Sequence, residues 1–454
     1  MTAKLTFYSG AEEVTGANFL LDAGSVKVLI DCGTRETVPP PGGDGILIEP
    51  FAYKPATMDT LLVTHAHQDH IGRIPLLVRE GFRGAIHSTP ATRDLARIMF
   101  DDALSLLFLQ SEKTGETPAF GKDDIEKALS LWETHEYHEP FDIKDLHVEM
   151  LDSGHILGAA MIRISRGGKS ILFTGDIGNT PEPLLSDTES PEGADYLVME
   201  SVYGDRMHEG RAERKANLRE AIEDTRTRGG VLLIPSFSIE RTQVLLSEIN
   251  EMVEREHLTP LPIYLDAPLA TRVTEIFRKY TNLFNTAAKE KLAKGDDLFA
   301  FKGLTVVNSS EESRALHDAP DPKIIIAGAG MSSGGRIRSH EKEYLGNKNA
   351  TVLMVGYQAP GSLGRRLEDG AKKVNIEGEW VRVRASIETL SGYSGHADRD
   401  GLMTFLEKAA PTLTRAFIVM GEPRSSLFLA QRAKDFLDVD AYVPARGETV
   451  TIEL

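Results

Sequence analysis

The chain has 454 residues, a formal net charge of −17 and one cysteine, Cys32. That length supports two or three buried cores, and the acidity excludes a protein that coats nucleic acid through a general basic surface, though not one with a locally positive cleft. A lone cysteine excludes an intramolecular disulfide and fits a reducing cytoplasm, and no stretch of about 18 apolar residues is present to span a membrane.

Taken in order, Met1-Thr2-Ala3-Lys4-Leu5-Thr6-Phe7 lacks the apolar segment of a signal peptide. The runs Asn18-Phe19-Leu20-Leu21 and Val26-Lys27-Val28-Leu29-Ile30 read as paired strands, with Asp31 at the tip of the second and Cys32 as buried packing. Pro39-Pro40-Pro41-Gly42-Gly43 marks a loop. The strand ending in Leu61-Leu62-Val63 then leads into Thr64-His65-Ala66-His67-Gln68-Asp69-His70. Neutral imidazoles and carboxylates bind Zn²⁺ at roughly 2.0–2.2 Å. On extended backbone His65 and His67 point the same way. A turn would present Asp69 and His70 to a second ion, and two ions about 3.5–4 Å apart can steady a phosphoryl centre.

Helical periodicity covers 92–112, with Leu95, Ile98, Met99, Ala103 and Leu106 on one stripe, and 122–134. His155 sits in a glycine-punctuated loop, and Asp176 ends an apolar strand in Thr174-Gly175-Asp176. Of the remaining histidines, His87, His135, His138, His147, His208, His257 and His317 stand in no ligand-rich context.

From about Gly204 the pattern becomes strand–helix alternation. A charged helix over 212–226 precedes strands at Val231–Pro235, Pro262–Asp266, Ile324–Ala327 and Val352–Val355, which predicts a parallel sheet. The loop Gly328–Gly335 joins a strand to a helix. Its Ser332, Ser333, Gly334 and Gly335 are candidate phosphate contacts, with Arg336, Arg338, Arg365 and Arg366 nearby and His340 as a weaker candidate. From about 371 alternating strands return, followed by His396, a helix near 399–408 and a terminal βαβ-like stretch. Residues 204–370 therefore read as an insertion between 1–203 and 371–454.

The set Asp31, His65-x-His67-x-Asp69-His70, His155 and Asp176 resembles the metallo-β-lactamase fold superfamily. Glu200 in Met199-Glu200-Ser201, His396 in Ser394-Gly395-His396-Ala397-Asp398, Gly356-Tyr357-Gln358 and Gly330-Met331-Ser332-Ser333-Gly334-Gly335 resemble the signatures of its β-CASP nucleases. The resemblance runs from Phe7 nearly to the C-terminus. It implies an α/β protein: an αββα sandwich carrying an inserted β-CASP α/β domain. It further implies a zinc-dependent ribonuclease acting on single-stranded RNA through a metal-activated hydroxide. His65, His67, Asp69, His70, His155 and Asp176 would be the metal ligands, in two sites, and Asp31 would support them. Asp69 would orient the hydroxide, and His396, aligned by Glu200, would protonate the leaving oxygen.

One position departs from the pattern. Met420-Gly421-Glu422 stands where the family's RNA enzymes carry His-Gly-Glu. A thioether is a poor zinc partner in a hard O/N site, which leaves the second site with Asp69, His70 and the shared Asp176. DNA-processing members place an apolar residue there, so a DNA nuclease stays open. So do a catalytically weakened RNA-processing scaffold, a small-molecule hydrolase of the same fold such as a lactamase or thioesterase, a nuclease whose hydroxide also attacks β-lactams slowly, and a homo-oligomer.

Overall fold

Ala3, Leu5 and Phe7 of the first strand, Thr2–Ser9, are buried, while Thr2 and Lys4 face solvent. This is the alternation of a strand with one face on a core. The strand pairs antiparallel with Asn18–Asp22 on one side and Thr449–Glu453 on the other. The computed structural model describes residues 1–35 and 48–454; the Pro39–Gly43 segment lies outside the described residues.

Among those residues, one seven-stranded sheet runs Thr449–Glu453, Thr2–Ser9, Asn18–Asp22, Lys27–Ile30, Thr60–Leu62, Ala85–Ser88 and Trp132–Thr134. A second runs Ala441–Tyr442, Arg415–Ile418, Tyr196–Met199, Lys169–Phe173, Ala160–Arg166, Leu146–Asp152 and Phe141–Ile143. Their inner faces share one apolar layer that includes Phe7, Phe19, Ile30, Ile164, Phe173 and Phe417. Leu172, Leu197 and Ile418 point the other way from the second sheet, onto Leu402 and Leu406 of the helix Arg399–Ala409 and Leu429 of Pro423–Leu437. On the first sheet, Phe100 of the helix Pro90–Thr114 packs on Trp132 with ring centroids 6.3 Å apart. The result is the expected αββα sandwich. Each such apolar side chain contributes roughly 1.5–3 kcal/mol by burial, so this layer fixes where the strands end.

Two local expectations are corrected. In Pro90–Thr114 the buried stripe takes in Leu95, Met99 and Ala103 but continues through Leu104 and Leu107, leaving Leu106 47% exposed. The next helix is Lys122–Ser130, and Trp132–Thr134 joins Ala85–Ser88 as a parallel edge strand.

The chain divides into two compact units. The first holds Met1–Glu182, Ser186–Met207 and His396–Leu454; the second holds Pro183–Leu185 and His208–Gly395. The second contains a six-stranded sheet ordered Leu304–Val306, Ile263–Asp266, Lys323–Ala327, Val231–Pro235, Thr351–Met354 and Ser386–Thr389 among the described residues. Its pairings are parallel. Val231, Leu233 and Ile325 join one core, while Leu232, Ile234 and Ile324 are buried as well, as in a sheet covered on both faces. The second compact unit runs on past residue 370, to Gly395. Ser386–Thr389 extends this sheet beside Thr351–Met354, and Lys373–Ile376 with Glu379–Arg382 forms a hairpin in the same unit. Alternation alone could not say which sheet those strands would join.

Candidate metal centre

The site is built at strand ends. Asp31 follows Lys27–Ile30 and His65 follows Thr60–Leu62, two parallel neighbours. Asp176 follows Lys169–Phe173, Glu200 follows Tyr196–Met199 and Met420 follows Arg415–Ile418, again parallel neighbours. Parallel pairing places these carboxyl-terminal ends side by side, the usual binding edge of such sheets. His155 comes from the loop after Leu146–Asp152. Asp69 and His70 lie in the short helix Gln68–Ile71, whose backbone is laced to the first strands: Ala17 N–H donates to Asp69 O at 2.8 Å and Cys32 N–H to His70 O at 2.7 Å. A Cβ on Gly33 would fall 1.5 Å from Asp69 O, so only glycine permits this approach.

Four side chains converge. His67 Nδ1 lies 3.1 Å from His65 Nε2 and 3.2 Å from His155 Nε2. Asp176 Oδ2 lies 3.3 Å from His65 Nε2 and 3.4 Å from His155 Nε2. On its other side Asp176 Oδ1 is 3.4 Å from His70 Nε2, which is 3.7 Å from Asp69 Oδ2. Asp31 holds the assembly from behind. Its carboxylate accepts from Thr64 N–H and Thr64 Oγ1–H, both at 2.8 Å, and sits 2.8 Å from His70 Nδ1. Asp31 takes this place with φ of 57°, unusual for a non-glycine residue. Asn18 Nδ2 secures it by donating to Asp31 O at 2.7 Å.

Burial pushes the imidazoles of His65, His67 and His155 below their ordinary range, towards the neutral form that binds metal. Burial opposes ionisation of Asp176, yet His70 and His65 outweigh it and hold the carboxyl well below its usual range. His70 is the exception among the rings: against burial, Asp176, Asp31 and Asp69 raise it.

These residues fit a metal. Two ring-nitrogen pairs approach at hydrogen-bond distance in a site where the neutral rings offer lone pairs. His70 Nε2 and Asp176 Oδ1 are buried with no hydrogen-bond partner among the described residues. Buried polar atoms are rarely left so, and a shared cation satisfies both observations. Three imidazoles and a carboxylate are a zinc-type donor set.

Beside this cluster, His396 Nδ1 contacts the Glu200 carboxylate at 3.1 and 3.2 Å and lies 4.0 Å from Asp176 Oδ2. Glu200 is itself buried and accepts from Ile177 N–H at 2.7 Å. Burial alone would lower His396, but Glu200 and then Asp176 prevail and raise it to about 9.

The glycine-rich loop of the second unit is arranged differently from the expectation. Ser332 is buried and its hydroxyl donates to Glu341 Oε1 at 2.5 Å, so it is committed internally; Ser333 and Gly335 are exposed and Gly334 partly so. Arg336 is bound to Asp266 at 2.5 Å, and the buried His340 contacts the same carboxylate at 2.8 Å. These two are structural anchors. Met420 lies in the inter-sheet apolar layer and lines a cavity with Phe19, Asp31, His70 and Phe173. Thr64 escaped the sequence reading. Only its place just before His65 marked it, and a threonine at a strand end carries no signal of its own.

Comparison with known proteins accords with this geometry. Residues 20–199 match the metallo-beta-lactamase superfamily domain, 242–367 the Beta-Casp domain, and 380–444 the Zn-dependent metallo-hydrolase RNA specificity domain. Ribonuclease TTHA0252 of Thermus thermophilus is 36% identical over 445 residues, 98% of this chain and 97% of that one. Transcription termination factor FttA of Pyrococcus abyssi is 30% identical over 99% of this chain and 71% of its own, and Integrator complex subunit 11 of Gallus gallus is 29% identical over 99% and 74%. A crystal structure of a protein of unknown function from Enterococcus faecalis V583 aligns over 100% of both chains with a TM-score of 0.55 and 11% identity, a likeness of fold alone. With a full-length relative above 30% identity and all three domain models in order along it, the chain belongs to the β-CASP family of metallo-β-lactamase-fold hydrolytic nucleases.

Proposed function

We propose that this chain is a zinc-dependent ribonuclease that cleaves phosphodiester bonds of single-stranded RNA. The observation that carries the reading is the convergence of His65, His67, His155 and Asp176 beside His70 Nε2 and Asp176 Oδ1, two buried atoms without a hydrogen-bond partner among the described residues. His65, His67, His155 and Asp176 would hold one ion; Asp69, His70 and the shared Asp176 would hold a second. Zinc there supplies Lewis acidity, lowering the pKa of water and offsetting charge on the phosphoryl oxygens. Asp69 would accept a hydrogen bond from the attacking water and orient it. Glu200 occupies Nδ1 of His396, which supports a role for Nε2 as the atom that would deliver a proton to the departing oxygen. The exposed stretch Ser333–Gly335 is the proposed phosphate contact of the second unit.

RNA as the substrate class is supported by the matched RNA specificity domain and by a full-length relative named a ribonuclease. Met420 favours one alternative, DNA, because an apolar side chain stands where the RNA enzymes have a ligand. No helix of the described residues is long and apolar enough to cross a membrane, and the buried lone Cys32 fits work in the cytoplasm. The test is metal analysis of the purified protein together with cleavage of end-labelled single-stranded RNA and DNA of one sequence. Bound zinc and chelator-sensitive cutting of RNA are expected. Protein that binds no zinc, or zinc-loaded protein that leaves RNA intact, would sink the reading.

A further inference from the structure

Two more imidazoles meet at the edge of the first sheet, in residues that share nothing with the Asp176 centre. His87 lies in Ala85–Ser88, and Glu133 is its cross-strand partner in Trp132–Thr134. His135 follows that edge strand, with its N–H bonded to Ser88 O at 3.0 Å. His87 Nδ1 stands 3.0 Å from His135 Nε2 and 3.8 Å from Glu133 Oε2, and the three donor atoms all fall within 4.8 Å of one another. Zinc bonds of roughly 2.0–2.2 Å in a tetrahedron need donors about 3.3–3.5 Å apart, a spacing these distances bracket.

The surroundings suit a cation. Phe141 stacks on His135 with ring centroids 3.6 Å apart and planes 8° from parallel, and it lies 5.1 Å from the His87 ring. That apolar wall fixes both rings. His87 has 8% of its side chain exposed, Glu133 64%, so the cluster is backed by core and open on one side, leaving room for solvent. Burial, and then each other's proximity, lowers His87 to about 4; burial also lowers His135, against the pull of Glu133 and Glu139. The rings are thus neutral donors, and Glu133 and Glu139 act on His135.

We propose that His87, Glu133 and His135 form a separate site for a divalent transition metal of the zinc class, which fastens the short edge strand to its neighbour. The competing account is a plain N–H···N hydrogen bond between the two imidazoles, in which Glu133 plays no part. The full chain and its His135→Ala, Glu133→Gln and His67→Ala variants would be dialysed against Co²⁺ and against Zn²⁺, and bound ions counted by mass spectrometry. His135→Ala should lose one equivalent, whereas His67→Ala should keep that equivalent while losing ions elsewhere. Glu133→Gln, an exposed change, should weaken the extra ion by about tenfold or more. In the His67→Ala background, added Zn²⁺ should still raise the thermal midpoint, and Glu133→Gln should shrink that rise. Unchanged ion content in both His135→Ala and Glu133→Gln overturns the site. Should His135→Ala fail to fold, the Glu133→Gln result alone decides.

Discussion

The strand-end centre of the first unit and the glycine-rich loop of the second draw on the same vocabulary of glycine, histidine, serine and charge, yet they spend it in opposite ways. At the centre, imidazoles face one another and two buried polar atoms lack hydrogen-bond partners among the described residues. In the loop, Ser332 is bound to Glu341, while Arg336 and His340 both close on Asp266. The difference separates a site from a scaffold. At the centre the donor atoms converge on one point, whereas in the loop they are turned on Asp266 and Glu341, although Glu341 Oε2 and Gln358 Oε1 there are likewise buried with no hydrogen-bond partner among the described residues.

The comparison can be broken in several places. His67→Ala removes the nitrogen that faces both His65 and His155. It should cost more than about 100-fold in activity and deplete zinc, since even partners one layer out from a metal are worth 10–100-fold. Retained zinc and retained cleavage would mean that the centre is only a histidine cluster. His396→Ala should lower turnover by roughly 10²–10⁴-fold with zinc still bound; loss of the metal as well would make His396 a ligand. Asp266→Ala strands Arg336 and His340, so it should destabilise the protein by roughly 3–5 kcal/mol, measured by denaturant unfolding. A drop in RNA affinity without loss of stability would instead place Arg336 and His340 in the binding surface beside Ser333–Gly335.

Met420→His should tighten the second ion and raise RNA cleavage several-fold when zinc is scarce. No gain, with DNA cut as readily as RNA, would favour the DNA reading. The smallest effect concerns Glu341, whose carboxyl burial lifts to about 8 against the hydrogen bond from Ser332. Between the ordinary carboxylate range and that value, the folded chain keeps a proton that the unfolded chain has released. Stability therefore falls as pH rises through that window. Glu341→Gln keeps an acceptor for Ser332 and should raise the melting midpoint at about pH 9 but not at about pH 4. Equal shifts at both would show a packing effect.

Much of this was legible in the residues. An apolar strand that stops at Asp31, His65 or Asp176 declares its end locally, and the spacing of His65, His67 and His70 needs no partner to be noticed. What stayed hidden depended on pairing across the chain. His87 and His135 look ordinary alone; they meet because one strand lies beside another. Ser332 and Arg336 looked like phosphate contacts because the residue that consumes Arg336, Asp266, is 70 positions away. Residues 371–395 alternate like any sheet, and only the partner Thr351–Met354 assigns them to the second unit. Leu106 failed because the helix stripe drifts with length.

The pairing of Glu200 with His396 spans 196 positions. Synthesis is directional, and early segments fold first. The donors from His65 to Asp176 therefore leave the ribosome long before His396 exists, with the whole second unit still to be made. During that interval the nascent chain can gather its metal ligands while lacking the residue assigned here to the leaving group. A nuclease born beside its own messenger thus stays incomplete until the whole second unit has been made.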